Sequence, residues 1–92
     1  MRMGGRMSET DKSKAVWVEA VEDGVNIRTQ PSTDATIVAQ MQRGDRIIAT
    51  GDAVDGGAYG PVCGQGGGNW WLPVDHFGTI RYVTWVCVRD VV

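Results

Sequence analysis

Apolar and polar residues alternate in short runs along most of the chain, which is the pattern of half-buried β-strands. The runs AVWVEAV, GVNIR, TIVAQM, RIIAT and RYVTWVCV are rich in β-branched or aromatic side chains, and NWWLPV is also strand-like. In the first run, Val16, Val18 and Ala20 share one face. No helical period persists beyond about two turns. The pattern therefore predicts an all-β protein with little helix.

Glycine, proline and short polar residues separate these runs and mark the turns. Residues 22–24 are predicted to form a turn, and TQPSTDAT to form an ordered loop in which Pro31 fixes φ. The QRGDR turn, with Gly44 at a positive φ, is predicted to join its two flanking strands as a β-hairpin. We interpret the Arg-Gly-Asp tripeptide as part of this turn.

The alternation breaks down between Gly51 and Gly68, where eight of the thirteen glycines lie. This segment is predicted to be a long loop, with at most a short strand around residues 59–63. Residues 1–14 are polar and aperiodic and are predicted to be a disordered tail, in which Met1, Met3 and Met7 are alternative starts. One domain is predicted, over residues 15–92.

Charge and hydropathy exclude some classes of partner. The nine Lys and Arg residues and eleven Asp and Glu residues give a net charge of −2. This balance disfavours nucleic acid, which needs concentrated positive charge. No segment is long and apolar enough to span a membrane, and none has the apolar core of a signal peptide. From these features alone, a cytoplasmic or particle-associated location is expected.

The stretch GVNIRTQPSTDATIVAQMQRGDRI resembles the opening of bacterial SH3-like (SH3b) domains. Their pattern is a Val-Asn-Val/Ile-Arg strand, a Pro-Ser loop, a strand, a Gly-Asp/Thr turn and another strand. A Trp-containing strand, a glycine turn and an aromatic-Val pair follow, here Trp70 or Trp71, Gly78 and Tyr82-Val83. The resemblance covers residues 15–92 and implies a small, half-open SH3-like barrel of two packed antiparallel sheets. It also implies a cell-envelope location.

The chain departs from this family pattern at two places. Arg81 stands where the family usually has glycine before the Tyr-Val pair, and residues 51–68 are longer and richer in glycine than usual. Both places fall where family members bind ligands. The resemblance therefore implies the fold more strongly than it implies a binding site.

Few residues could support catalysis or cofactor binding. The one histidine, His76, would need Cys63 or Cys87 beside it to form a Cys-His nucleophile pair. The cell-wall cysteine peptidases that SH3b domains accompany carry a separate, larger catalytic domain. Cys63, Cys87, His76 and Asp75 lack the spacing of a metal site. The glycine-rich segment lacks G-K-[ST] and precedes a strand, not a helix. We expect no enzyme activity, metal or cofactor.

The two cysteines leave two alternatives open. Cys63 and Cys87 lie on segments that can be neighbours in a two-sheet barrel, so a disulfide between them is geometrically possible. The absence of an export signal favours two small buried thiols instead.

The aromatic residues are the strongest functional signal. Trp70 and Trp71 are adjacent in a strand, so they must point to opposite faces, although the sequence does not show which one is exposed. An exposed Trp or Tyr beside a loop is typical of peptide and glycan grooves, unless the loop covers it. The predicted groove lies between the TQPSTD loop and the segment 51–68. Its candidate residues are Trp70, Trp71, Tyr59 and Tyr82 as a platform, with Asn26, Arg28 and Asp34 as polar partners.

Two functions follow. The resemblance implies a non-enzymatic module that binds bacterial cell-wall peptide, the peptidoglycan stem or cross-bridge. The alternative is a protein-interaction or assembly subunit, inside the cell or in a phage-like particle. The polar start and the lack of basic charge for an anionic wall favour the alternative.

Overall fold

The computed structural model describes residues 16–91 as eight antiparallel strands and one short 3-10 helix, without an α-helix in that range. This confirms the predicted all-β fold. The tail predicted at residues 1–14 lies outside the described residues. The elements are β1 (Val16–Ala20), β2 (Val25–Arg28), β3 (Ile37–Met41), β4 (Arg46–Ala49), β5 (Val54–Tyr59), β6 (Gly68–His76), β7 (Thr79–Thr84), the 3-10 helix (Trp85–Cys87) and β8 (Val88–Asp90).

The long strand β6 joins two layers of the barrel. Along one edge, β6 pairs with β7 from Trp71 to His76. Its other edge pairs first with β5 and then with β4. One layer therefore holds β3, β2, β7, β6 and β5, and the other holds β6, β4, β1 and β8. The path of paired strands ends at β3 and β8 and does not close, so the barrel is half-open as predicted.

The hydrophobic core lies between these layers and follows the alternation in the sequence. Val74 and Val83, which are fully buried, occupy its centre on β6 and β7. Complete burial of one aliphatic side chain of this size stabilises the fold by about 1.5–3 kcal/mol. The other buried core residues are Val18, Ala20, Val25, Ile27, Met41, Leu72 and Cys87.

The predicted β3–β4 hairpin is wrong. Strand β3 pairs with β2, whereas β4 pairs with β1 and β6. Gly44 does have a positive φ, of 89°. However, its N–H donates to the carbonyl of Ala20, and the N–H of Arg43 donates to the carboxylate of Asp23. These bonds fix the turn against the end of β1, so the chain crosses from one layer to the other.

The glycine-rich segment is not a loop throughout. Residues Val54–Tyr59 form β5, so the short strand expected around residues 59–63 is misplaced. Strand β5 pairs Val54 with Trp71 and Tyr59 with Gly68. Gly56 and Gly57 give this strand no alternating side-chain pattern, which is why its sequence does not indicate a strand.

Candidate ligand cleft

Two of the surface cavities on the described part of the chain are candidate ligand sites. The smaller, about 280 Å³, is called the loop cleft here; it is lined by residues 22–26, 28, 33, 59–63, 71, 84 and 87. It lies between the TQPSTD loop and the segment after β5, where the groove was predicted. The larger, about 760 Å³, is called the strand groove; it is lined by residues 16, 18, 49–53, 65, 72, 85, 86 and 88–90.

Two buried aromatic side chains line the loop cleft. Trp71 is only 1% exposed, and its indole N–H donates to the carbonyl of Gly57 at 2.8 Å. The Tyr59 ring meets it edge-on, with centroids 5.5 Å apart. The Tyr59 hydroxyl donates to the carbonyl of Trp70 at 3.0 Å, and burial raises the pKa of this hydroxyl. Both rings are therefore a fixed part of the cleft wall and not a freely exposed platform.

Glycine in β5 allows the chain to cover Trp71. A Cβ added to Gly56 would lie 2.5 Å from the carbonyl oxygen of Pro31 and 2.6 Å from Cδ1 of Trp71. The N–H of Gly57 also donates to that Pro31 oxygen, at 2.8 Å. The glycine-rich segment thus covers Trp71, while Trp70 is the exposed member of the pair at 46%.

Two of the three predicted polar residues, Asn26 and Arg28, have internal hydrogen-bond partners for their side chains. One guanidinium nitrogen of Arg28, Nη1, donates to the carbonyls of Thr33 and Ala35 at 3.0 and 2.9 Å. Arg28 therefore holds the TQPSTD loop in place. The side-chain oxygen of Asn26 accepts a hydrogen bond from the Gln40 amide at 2.8 Å.

Four of the seven predicted site residues meet in the loop cleft, and three do not. Those that line it are Asn26, Arg28, Tyr59 and Trp71. The structure places Trp70, Tyr82 and Asp34 outside its lining. Tyr82 pairs with Arg28 across β2 and β7, so it lies beside the cleft. Arg81, the departure from the family pattern, pairs with Val74 and also lies outside the cleft.

Sequence reasoning missed the acidic side of the cleft. Glu22 and Asp23 form part of its lining, together with Thr33 and Thr84. Within residues 16–91 the ion pairs are those of Glu19 with Arg46 and Arg89, so Glu22, Asp23 and Arg28 lack an ion-pair partner there. The signal was a Glu-Asp pair directly before the first recognisable strand of the motif.

The structure joins Cys63 and Cys87 in a disulfide bond, with Cα atoms 5.4 Å apart. This is one of the two alternatives that the sequence left open. Both cysteines line the loop cleft. Beside Cys63, the N–H and carbonyl groups of Val62 and Gln65 pair with each other. The bond therefore fastens this local turn to the 3-10 helix and holds one wall of the cleft.

The described residues do not assemble the Cys-His pair or the metal-binding group that the sequence analysis considered. Cys63 and Cys87 are bonded to each other, so neither thiol is free to pair with His76. Over residues 16–91, no three His, Cys, Asp or Glu side chains are placed to hold a metal ion together. The same residues contain no helix with the length and hydropathy required to cross a bilayer.

A family model matches most of the described chain. Residues 23–89 match the family described as bacterial SH3 domain. The match begins at the acidic side of the loop cleft and ends in β8. Neither the curated proteins nor the solved structures gave a significant match.

Proposed function

The chain belongs to the bacterial SH3 domain family, and from this we propose that it is a non-enzymatic binding module that recognises bacterial cell-wall peptide through the loop cleft. The observation that supports this proposal most is the position of the cleft. It lies between the two predicted loops and is lined by Asn26, Arg28, Tyr59 and Trp71.

The construction of the loop cleft suits a ligand that binds to a preformed surface. The Tyr59–Trp71 pair supplies a rigid apolar wall with its polar groups already hydrogen-bonded. Arg28 fixes one loop, and the disulfide fixes the other. Little conformational entropy would be lost at these loops on binding, which favours affinity at a small contact area. Thr84 and Asn26 supply polar groups for orientation.

The proposal is tested by co-sedimentation of the full chain with purified peptidoglycan. Gly60→Trp places a bulky side chain on the cleft lining, where an added Cβ meets nothing within 4 Å and φ is not positive. Gly66→Trp is the matched control, since it is equally open but lines neither cavity. We expect the wild type and Gly66→Trp to sediment, and Gly60→Trp to bind at least about tenfold more weakly. Protein that stays in the supernatant, or undiminished binding by Gly60→Trp, would overturn the proposal.

A second candidate, a protein-interaction or assembly subunit, is favoured by a mainly apolar row on the outer face of the barrel, called the outer row here. Trp17 pairs with Ile48, Ile48 with Asp75, and Asp75 with Ile80, so these four side chains share one face. Trp17 and Ile80 are about half exposed. An exposed apolar surface of this kind is typical of protein contacts. Size-exclusion chromatography with light scattering would support an assembly subunit if the wild type formed oligomers and the Trp17→Ser variant were a monomer. A monodisperse monomer would count against self-assembly.

A further inference from the structure

The loop cleft carries opposite charges at its two ends. Glu22 and Asp23 precede β2, and Arg28 ends it, with the three side chains on one cleft. None of them takes part in an ion pair within residues 16–91. The cleft therefore presents a negative end and a positive end that the protein itself does not neutralise.

Arg28 is held rigidly but keeps its charge. Its two hydrogen bonds go from Nη1 to the neutral carbonyls of Thr33 and Ala35. The other two nitrogens of the guanidinium, Nη2 and Nε, keep their donor groups. A guanidinium with a fixed plane and free donors is the group best suited to bind a carboxylate.

The acidic end of the loop cleft also keeps carboxylate oxygens that can accept hydrogen bonds from a ligand. One carboxylate oxygen of Asp23, Oδ1, accepts a hydrogen bond from the N–H of Arg43 at 2.9 Å. Its second oxygen and the exposed carboxylate of Glu22 remain available as acceptors. Two adjacent carboxylates favour a ligand with a positive charge and several N–H donors, such as an ammonium group.

Size restricts the ligand further. Asp23 and Arg28 are five positions apart, which separates their Cα atoms by at most about 17 Å in an extended chain. A peptide of three residues spans about 10 Å, so it fits within this upper limit. The cleft volume of about 280 Å³ lies at the lower limit of small-molecule pockets. Three small residues fit this volume better than a long chain does.

We propose that the loop cleft binds a short peptide of small residues with both ends free. Glu22 and Asp23 hold its ammonium group, Arg28 holds its carboxylate, and its backbone lies along Tyr59 and Trp71. This inference rests on the proposed function and narrows it, because it assigns the ends of a peptide, and not its middle, as the recognised feature.

The test uses four forms of trialanine: unmodified, N-acetylated, C-amidated, and blocked at both ends. Each is titrated into the full-length protein while the NMR signal of the Trp71 indole N–H is followed. We expect saturable shifts with the unmodified peptide, about tenfold weaker binding when either end is blocked, and the weakest binding when both are. Equal affinity for all four forms, or no binding by any, would overturn the inference.

A substitution then assigns the charged partner. Glu22→Gln is expected to weaken binding of the unmodified peptide severalfold and to leave binding of the N-acetylated peptide unchanged. Asp52→Asn is the matched control, since Asp52 is exposed but lines the strand groove. An equal loss for both peptides would contradict the assignment. If the wild-type protein sediments with peptidoglycan but shows no preference for trialanine with free ends, this inference alone is rejected. If the wild-type protein does not sediment with peptidoglycan, the proposed function is rejected.

Discussion

Gly56 shows how a single residue can determine the construction of the loop cleft. The hydrogen atom that replaces a side chain at this position allows β5 to lie against Pro31 and the Trp71 ring. Nothing in a single sequence distinguishes this glycine from its neighbours, because its role arises from an approach between segments that are distant along the chain. The sequence predicted that Trp70 and Trp71 face opposite sides, but this packing decides which of them is covered.

The substitution Gly56→Ala tests this packing. The added methyl group would overlap Pro31 and Trp71, neither of which is the flexible end of a long side chain. We expect a loss of about 1–3 kcal/mol in the free energy of unfolding, measured by chemical denaturation. Gly66→Ala, where an added Cβ meets nothing within 4 Å, should change it by less than about 1 kcal/mol. Equal effects of the two substitutions would show that β5 does not pack as described.

Phe77 has a backbone conformation that is unfavourable for its residue type. It forms the β6–β7 turn with Gly78, and both residues have positive φ, 54° and 85°, as in a type I′ turn. Phenylalanine is unfavourable in this conformation, and its side chain is 94% exposed. Phe77→Asn should therefore raise the free energy of unfolding by about 0.5–1 kcal/mol. Ile80→Asn, an exposed position in a strand, should give no gain. A destabilised Phe77→Asn protein would show that the edge-on contact with His76 outweighs the backbone strain.

At the scale of elements, Glu19 connects three strands. From β1 it accepts hydrogen bonds from Arg89 on β8, the shorter at 2.6 Å, and from Arg46 on β4 at 3.1 Å. These hydrogen bonds lower the pKa of Glu19 below its ordinary value of 4.5, and the bond from Arg89 has the larger effect. The side chain is only 14% exposed. The pair of arginines thus links β1 to its neighbours on both sides.

This link predicts a pH dependence of stability. Since the folded-state pKa of Glu19 is lowered, its contribution is complete above about pH 4.5 and is lost as the pH falls through the folded-state value. Glu19→Gln should be less stable than the wild type at pH 7, and the difference should narrow in denaturation experiments below pH 4.5. Glu22→Gln, which removes an exposed carboxylate without an ion pair, should change stability little at either pH. A constant difference between Glu19→Gln and the wild type across this range would contradict the assignment.

The disulfide is the second connection between elements. It joins residues 24 positions apart and anchors the turn at Val62–Gln65 to the 3-10 helix. By restricting the unfolded chain, a bond that closes a loop of this size stabilises the fold by about 3 kcal/mol. The Cys63→Ser/Cys87→Ser double variant should lose about this amount in chemical denaturation. Added thiol reductant should destabilise the wild type but leave the double variant unaffected. If reductant leaves the wild-type midpoint unchanged although it cleaves the bond, the proposed stabilisation is wrong.

The pairing of the strands was harder to predict from the sequence than their positions. The alternation located β1 and β2, whose buried residues alternate along the strand, as Val18 and Ala20 do on β1. Strands β3 and β4 were located by their β-branched composition. Neither feature could show that β3 and β4 separate, since the turn between them is fixed by bonds to Ala20 and Asp23 of other elements. Strand β5 was missed for a related reason: its Gly56 and Gly57 serve contacts with Pro31 and carry no pattern of their own.

For the whole molecule, the half-open path of strands leaves distinct surfaces with different chemistry. The loop cleft combines Tyr59 and Trp71 with unneutralised charges, whereas the outer row is mainly apolar. The two predicted loops border the cleft, and Asn26 and Arg28, which the sequence suggested as polar partners, line it. Their role in binding stays a prediction. The sequence could not identify the acidic end, because Glu22 and Arg28 face one cavity only after the 59–63 segment has closed over β2.

These surfaces can be distinguished by titrating the isotope-labelled full-length protein with soluble muropeptides and recording its amide and indole NMR signals. We expect saturable shifts concentrated at the residues of the loop cleft, including the Trp71 indole N–H and the amides of Asn26, Gly60 and Thr84. Residues of the outer row, such as Trp17 and Ile80, should not shift. An unchanged spectrum, or shifts confined to the outer row or the strand groove, would contradict the assignment of the loop cleft as a site for cell-wall peptide.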